Sequence, residues 1–166
     1  MSLTLVLGGV RSGKSAYAER LAREPVLYVA TLRAEDEASR RRIALHRARR
    51  PSHWPTLEAV STIAEQVQRI RPLPATVLLD GFGLVVAAAL EQQDAEDQIA
   101  AEVKAIIAAS EQCDWIVVSE EVGLAPLAAT EVGRRFQDLL GEANQALAGA
   151  ARRAILVVAG RALVLP

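Results

Sequence analysis

The sequence predicts an α/β fold in which a mostly parallel sheet is flanked by helices and finished by a C-terminal antiparallel edge hairpin. Three observations predict it. Short apolar runs alternate with helix-forming stretches along the 166 residues, the order that a parallel sheet covered on both faces produces. The first apolar run ends in glycines and leads directly into a helical stretch. The last two apolar runs, Ala154–Ala159 and Ala162–Leu165, are joined at Gly160–Arg161 as in a hairpin.

Taken in order, Leu3–Gly8 is a buried strand and Gly13–Arg23 a helix with Ala16, Ala18, Leu21 and Ala22 available for packing. Val26–Thr31 is a second strand. Glu35–Arg50 is a helix poor in apolar residues, ended by Pro51. Thr56–Val60 is a short strand and Thr62–Ile70 a helix. Pro72 and Pro74 precede the strand Thr76–Asp80. Asp94–Ser110 is a long amphipathic helix, Trp115–Ser119 a strand, and Thr130–Ala151 a second long helix. No repeat or interdomain linker interrupts the pattern. Residues 1–166 therefore form a single domain, large enough to bury about two-thirds of its unfolded surface.

Composition excludes several function classes. No apolar run reaches the roughly 18 residues of a membrane span. The run Leu3–Leu7 lacks the basic leader of a signal peptide. Cys113 is the only cysteine, so no intramolecular disulfide forms and a Cys-based zinc site is disfavoured. These points favour the cytoplasm. A formal net charge of −1 argues against a nucleic-acid partner.

Gly8-Gly9-Val10-Arg11-Ser12-Gly13-Lys14-Ser15 satisfies the P-loop pattern in full, with a strand before it and a helix after it. Glycines let the backbone wrap phosphate oxygens closely, and the N–H groups of the helix start face the anion. Lys14 neutralises β- and γ-phosphate charge, and the Ser15 hydroxyl is a Mg²⁺ ligand. The expected sheet is thus P-loop NTPase-like, and the ligand is a nucleoside triphosphate. Asp80 follows Val77-Leu78-Leu79 and would end its strand where open α/β sheets bind ligands. There it holds the Mg²⁺ shell, directly or through water.

The segment Glu35–Arg50 carries six arginines: Arg40, Arg41, Arg42, Arg47, Arg49 and Arg50. Its large apolar residues, Ile43 and Leu45, make no continuous stripe, so it covers little core and faces solvent or a partner subunit. His46 lies within it, with Arg42, Arg49 and Arg50 on the same helical face. Cations there disfavour imidazolium, leaving a neutral nucleophile beside guanidinium groups that bind phosphate. Read by itself, this is more simply a solvated charged face. His53, near two prolines, needs only loop packing.

At this point the chain resembles the bifunctional adenosylcobinamide kinase/adenosylcobinamide-phosphate guanylyltransferases of cobalamin assembly. The likeness runs along nearly the whole chain. It is carried by Leu7–Ser15, Tyr28-Val29-Ala30-Thr31, Arg42-Ile43, His46 leading to Arg49-Arg50, Trp54, Thr56, Glu58 and Asp80. It continues through Val118-Ser119, Glu121-Val122-Gly123, Arg134-Arg135-Phe136, Asn144-Gln145 and Val157–Gly160. The resemblance implies phosphoryl transfer from ATP or GTP to the aminopropanol hydroxyl of adenosylcobinamide. It also implies transfer of GMP from GTP, through a guanylylated histidine, to the corrinoid phosphate. The matching histidine is His46, and the covalent step predicts ping-pong behaviour. Nucleotide contacts are implied at Ala30, Thr31 and Leu32, at Arg47, Ala48, Arg49 and Arg50, and at Glu58 and Asp80. Glu58 can accept the guanine N1–H and amino hydrogens. A homotrimer is implied as well. The chain departs from the family pattern at Gly81–Val85, at Glu120 and at Leu124-Ala125-Pro126. Two alternatives stay open: a P-loop kinase for another small molecule, which gives His46 no task, and a catalytically impaired nucleotide-binding regulator.

Overall fold

The computed structural model describes residues 1–32, 34 and 36–166, and of residue 42 the backbone. Seven strands form one sheet: β1 Leu3–Gly8, β2 Val26–Ala30, β3 Thr56–Glu58, β4 Thr76–Asp80, β5 Asp114–Glu120, β6 Arg153–Val158 and β7 Arg161–Leu165. Their order is β3-β2-β4-β5-β1-β6-β7. All pairs are parallel except β6–β7. The central strands β1, β2, β4 and β5 are buried almost throughout, which is why they read as continuous apolar runs rather than alternating ones.

Six helices complete the fold: α1 Lys14–Leu21, α2 Glu37–Arg49, α3 Ile63–Gln68, α4 Phe82–Ala89, α5 Ala95–Ala109 and α6 Glu131–Ala150. One face of the sheet packs against α3 to α6, through Ile63, Phe82, Ile106, Leu140 and Leu147 around Trp115. The other face packs against α1 and Trp54, through Ala18, Tyr28, Leu78 and Ile155. The amphipathic spacing of α6 is clear: Leu139, Leu140, Ala143, Asn144 and Leu147 are buried on one stripe.

The predicted elements are found, with three corrections. The segment after Asp80 folds as α4, which the sequence pattern gave no sign of. Phe82, Gly83, Val85, Val86 and Ala89 are all buried, and a short helix apolar on nearly all sides has no periodicity to read. The hairpin turns at Ala159 and Gly160 rather than at Gly160–Arg161. Both residues have positive φ, 50° and 77°, the pair of left-handed residues that a two-residue turn of matching twist requires. Helix α2 begins at Glu37, capped by Asp36, whose side chain accepts from Ser39 N–H; the expected start at Glu35 lies outside the described residues. None of the described side chains of α2 is buried, in agreement with its lack of an apolar stripe.

Helix α3 starts from Thr62 in a left-handed conformation with no side-chain cap of its own. The cap comes from α5: the buried Glu102 accepts from the N–H groups of Ile63 and Ala64 at 2.9 and 3.3 Å. Burial pushes the Glu102 carboxyl above its ordinary 4.5, and the N–H groups of Ala64 and Ile63 only partly offset this. A carboxyl raised in the folded state costs stability once pH passes its unfolded value. Wild-type stability is therefore expected to fall relative to Glu102→Gln as pH rises above 4.5. Urea midpoints of the two proteins would diverge across that window; parallel midpoints would contradict the assignment.

Candidate functional site

Parallel register brings the carboxyl ends of the strands to one edge of the sheet. Gly8 pairs with Glu120, Ala30 with Glu58, and Ala30 with Asp80. Strand β5 lies between the P-loop strand β1 and the Asp80 strand β4. A cavity of ≈ 270 Å³ opens over this edge, at the position where open α/β sheets hold ligands.

The P-loop wraps the end of β1 as its pattern requires. At Gly8 a Cβ would come within 2.5 Å of Ser12 Oγ and 2.6 Å of the Val157 carbonyl, so only glycine fits. Arg11 and Gly13 adopt left-handed φ of 59° and 93°. Gly13 caps α1 with no side-chain hydrogen bond, which leaves the first N–H groups of the helix without intrahelical partners. Such groups, with the positive end of the helix, favour an anion. Lys14 is buried. Its Nζ donates to the Gly9 carbonyl at 3.3 Å and lies 3.4 Å from Glu120 Oε1.

Asp80 is the meeting point of the site. Ser15 Oγ donates to Oδ1 at 2.8 Å. Tyr28 Oη donates to Oδ2 at 2.5 Å. His46 Nδ1 lies 3.1 Å from the same Oδ2. Burial would raise the Asp80 carboxyl, but the hydrogen bonds from His46, Tyr28 and Ser15 outweigh it and hold the group below its ordinary value. An ionised carboxylate only accepts, so His46 Nδ1 is the donor, and in the neutral imidazole Nε2, on the opposite edge of the ring, then carries the lone pair. Tyr28 responds in the opposite sense: burial, then the charge of Asp80, drives its phenol far above the usual range.

The arginines of α2 are spread over several partners. Arg49 makes a bidentate pair with Glu19 of α1, both contacts 2.7 Å. Arg47 reaches Glu58 at 3.2 Å. Arg50 donates to Thr56 Oγ1 at 2.8 Å and lies 4.1 Å from the Tyr28 ring centroid, a cation–π distance. Arg47 and Arg50, expected near His46, line the same cavity, and His46 also meets a carboxylate that the sequence did not place there. Its bonded charged partner is the Asp80 carboxylate.

Of the sequence-predicted residues, Val10, Lys14, Ser15, Ala30, Thr31, Leu32, His46, Arg47, Arg50, Glu58 and Asp80 line the cavity. Gly8, Gly9, Arg11, Ser12 and Gly13 shape the loop behind it, and Ala48 and Arg49 lie on α2 outside the lining. Sequence reasoning missed several lining residues. Tyr28 and Ile43 stood in the segments that carried the family resemblance but received no role. Gly81, Gly83, Leu84, Ala87, Glu120 and Phe136 also line the cavity. The signal for Gly81, Gly83, Leu84 and Glu120 was the departure from the family pattern at Gly81–Val85 and Glu120, which marked the place; Phe136 stood in a segment that carried the resemblance. Thr31 ties the two halves together: its hydroxyl bridges to the carbonyls of Asp80 and Gly81, each 2.9 Å away. His53 pairs with Glu24 at 2.9 Å, away from the cavity.

Comparison with known proteins places the chain in a family. A family model described as cobinamide kinase / cobinamide phosphate guanyltransferase matches residues 4–165. The bifunctional adenosylcobalamin biosynthesis protein CobP of Pseudomonas aeruginosa is 38% identical, covering 94% of this chain and 92% of its own length. The corresponding CobU protein of Escherichia coli (strain K12) is 35% identical, with 95% and 96% covered. Among solved structures, the RadB recombinase superposes with a TM-score of 0.54 at 15% identity, covering 93% of this chain and 73% of that one. That likeness concerns the fold alone, a P-loop NTPase sheet.

Removing one donor from Asp80 tests the network. Tyr28→Phe keeps the ring that Arg50 covers and loses the hydroxyl. A hydrogen bond to a charged, buried acceptor contributes about 1.5–3 kcal/mol, and a loss of that size is expected in denaturant titration. An unchanged midpoint would show that Asp80 does not depend on Tyr28.

Proposed function

This chain belongs to the cobinamide kinase / cobinamide phosphate guanyltransferase family, and from that premise we propose how its residues divide the work. It is a bifunctional enzyme: it phosphorylates adenosylcobinamide with a nucleoside triphosphate, and it transfers GMP from GTP to adenosylcobinamide phosphate, giving adenosylcobinamide-GDP. In our reading the P-loop, Gly8–Ser15, holds the triphosphate. Its backbone N–H groups and Lys14 take the phosphate charge. The guanine lies toward Glu58, whose carboxylate matches the N1–H and amino donors. Ala30, Thr31, Leu32, Arg47 and Arg50 complete the nucleotide contacts, with ATP and GTP both accepted as phosphoryl donors.

His46 is the nucleophile of guanylyl transfer. The observation that carries this is the hydrogen bond between His46 Nδ1 and Asp80, which leaves the Nε2 lone pair available. Nε2 attacks the α-phosphorus, the N–P bond forms, and the bond from phosphorus to the bridging oxygen breaks. The electron pair leaves with pyrophosphate. Positive charge that develops on the ring is stabilised by Asp80 through Nδ1–H, as in other carboxylate–histidine pairs. A phosphate oxygen of adenosylcobinamide phosphate then displaces the imidazole, and His46 is restored.

Ser15 and Asp80 fit a Mg²⁺ ion. Both are oxygen donors of the hard kind Mg²⁺ takes, and their side chains meet at the phosphate end of the cavity, Oγ within hydrogen-bond distance of Oδ1. Among the described residues no cluster of three His, Cys, Asp or Glu side chains is placed to hold a metal, so the remaining ligands would be phosphate oxygens and water, the usual Mg²⁺ arrangement. When bound, the ion neutralises charge on the phosphates. We read the chain as a single domain and as cytoplasmic from its sequence pattern and composition, and as a homotrimer from family likeness. Among the described residues no helix is long and apolar enough to cross a membrane.

GTP labelled at the α-phosphate should leave an acid-labile, base-stable adduct on the wild-type protein and none on His46→Ala. An adduct that persists in the variant would end the assignment. Asp80→Asn should slow adduct formation by about 10²-fold or more, the scale on which misoriented histidines lose activity. Quench-flow measurement of label incorporation gives the rate, and a wild-type rate would remove Asp80 from the mechanism.

A further inference from the structure

We propose that Glu120 is the general base of the phosphoryl transfer, and that the alcohol reaches it along an apolar wall of Leu84, Ala87 and Phe136. The inference rests on the kinase half of the function above and assigns it a residue and a substrate path.

Among the described residues three carboxylates line the cavity: Asp80, Glu58 and Glu120. Both oxygens of Asp80 are engaged, by Ser15, Tyr28 and His46. Glu58 ends β3, three strands from Glu120 across the sheet, and pairs with Arg47. Among the described carboxylates Glu120 is the one paired with Lys14, with Oε1 3.4 Å from Nζ. Because Lys14 is the residue that meets the β- and γ-phosphates, this carboxylate sits next to the phosphoryl group to be transferred. A negative group there weakens triphosphate binding by repulsion. Its presence is accounted for if it receives a proton during the reaction.

The surroundings hold it in that place. Oε2 accepts the Gly83 N–H at 3.2 Å, and Asn144 of α6 donates to the Glu120 carbonyl at 2.9 Å. Gly83 lies inside α4, where glycine is a poor helix former. A Cβ at that position would collide with the Glu120 carboxylate. The missing side chain makes room for the acid. Beyond it, Leu84, Ala87 and Phe136 give the cavity an apolar side suited to the alkyl part of an aliphatic alcohol.

The step balances as follows. The alcohol oxygen forms a bond to the γ-phosphorus. The bond from that phosphorus to the β,γ-bridging oxygen breaks, and its electron pair leaves with the nucleoside diphosphate. The hydroxyl proton passes to Glu120 and then to water. In kinases a carboxylate commonly accepts the substrate hydroxyl proton in this way.

Glu120→Gln keeps an acceptor for Gly83 N–H but cannot take the proton. Cobinamide phosphorylation should fall about 10²-fold or more, while the labelled adduct on His46 still forms at saturating GTP. Gly83→Ala should fold, since alanine favours the helix, and should lose phosphorylation by displacing the carboxylate while also still forming the adduct. A wild-type phosphorylation rate in Glu120→Gln would overturn the inference. Loss of both reactions in that variant would overturn it too, by assigning Glu120 to nucleotide binding. A wild-type protein unable to phosphorylate cobinamide would instead overturn the functional reading beneath it.

Discussion

The Asp80 carboxylate holds this site together. It is buried, ionised, and accepts from three side chains that come from the P-loop helix, the neighbouring strand and α2. A buried charge without partners is costly, and each hydrogen bond to it is correspondingly strong. The constraint acts in both directions. Asp80 stays charged because Ser15, Tyr28 and His46 surround it, and those three groups are oriented because Asp80 is charged. The register of the sheet makes the meeting possible: Asp80 pairs with Ala30, two residues after Tyr28, so both side chains stand on the same face of neighbouring strands.

Helix α2 shows how much depends on that network. With none of its described side chains buried, it has no core to position it. It is held by polar contacts: Arg49 to Glu19, Arg50 over Tyr28 and onto Thr56, Arg47 to Glu58, and His46 to Asp80. Exposed pairs among them, such as Arg47–Glu58, are individually weak, whereas the bond to the largely buried Asp80 is strong. Together they place His46, the proposed nucleophile, in the same cavity as the P-loop residues Lys14 and Ser15 without fixing it as firmly as packing would. On the opposite side of the cavity the arrangement is different. Glu120 and Gly83 sit on β5 and α4, both anchored in the main apolar core around Phe82 and Trp115.

Features written in contiguous residues were legible in the sequence. The P-loop needs glycines at fixed spacing because its backbone geometry is local, and Gly8 and Gly13 show why in their sterics and φ. The buried parallel strands were legible because burial on both faces removes polar residues. The helix α4 was not, since a helix apolar on all sides has no polar face to set its period. The environment of His46 was not legible either. Helical spacing correctly placed arginines beside it, but which arginine turns to Glu19, Glu58 or Tyr28 depends on strands and helices distant in the chain. Glu120 was visible as a departure at the end of a strand; its pairing with Lys14 and Gly83 becomes apparent only when β1, β5 and α4 are brought together.

In the proposed chemistry Asp80 fixes the proton on Nδ1 and directs attack to Nε2 of His46. The most direct measurement is the site of attachment in the guanylylated protein, read by ¹⁵N–³¹P coupling in ¹⁵N-histidine-labelled enzyme treated with GTP. The account predicts phosphorus on Nε2 of His46, with Nδ1 still protonated. Phosphorus on Nδ1, or on any other residue, would contradict it.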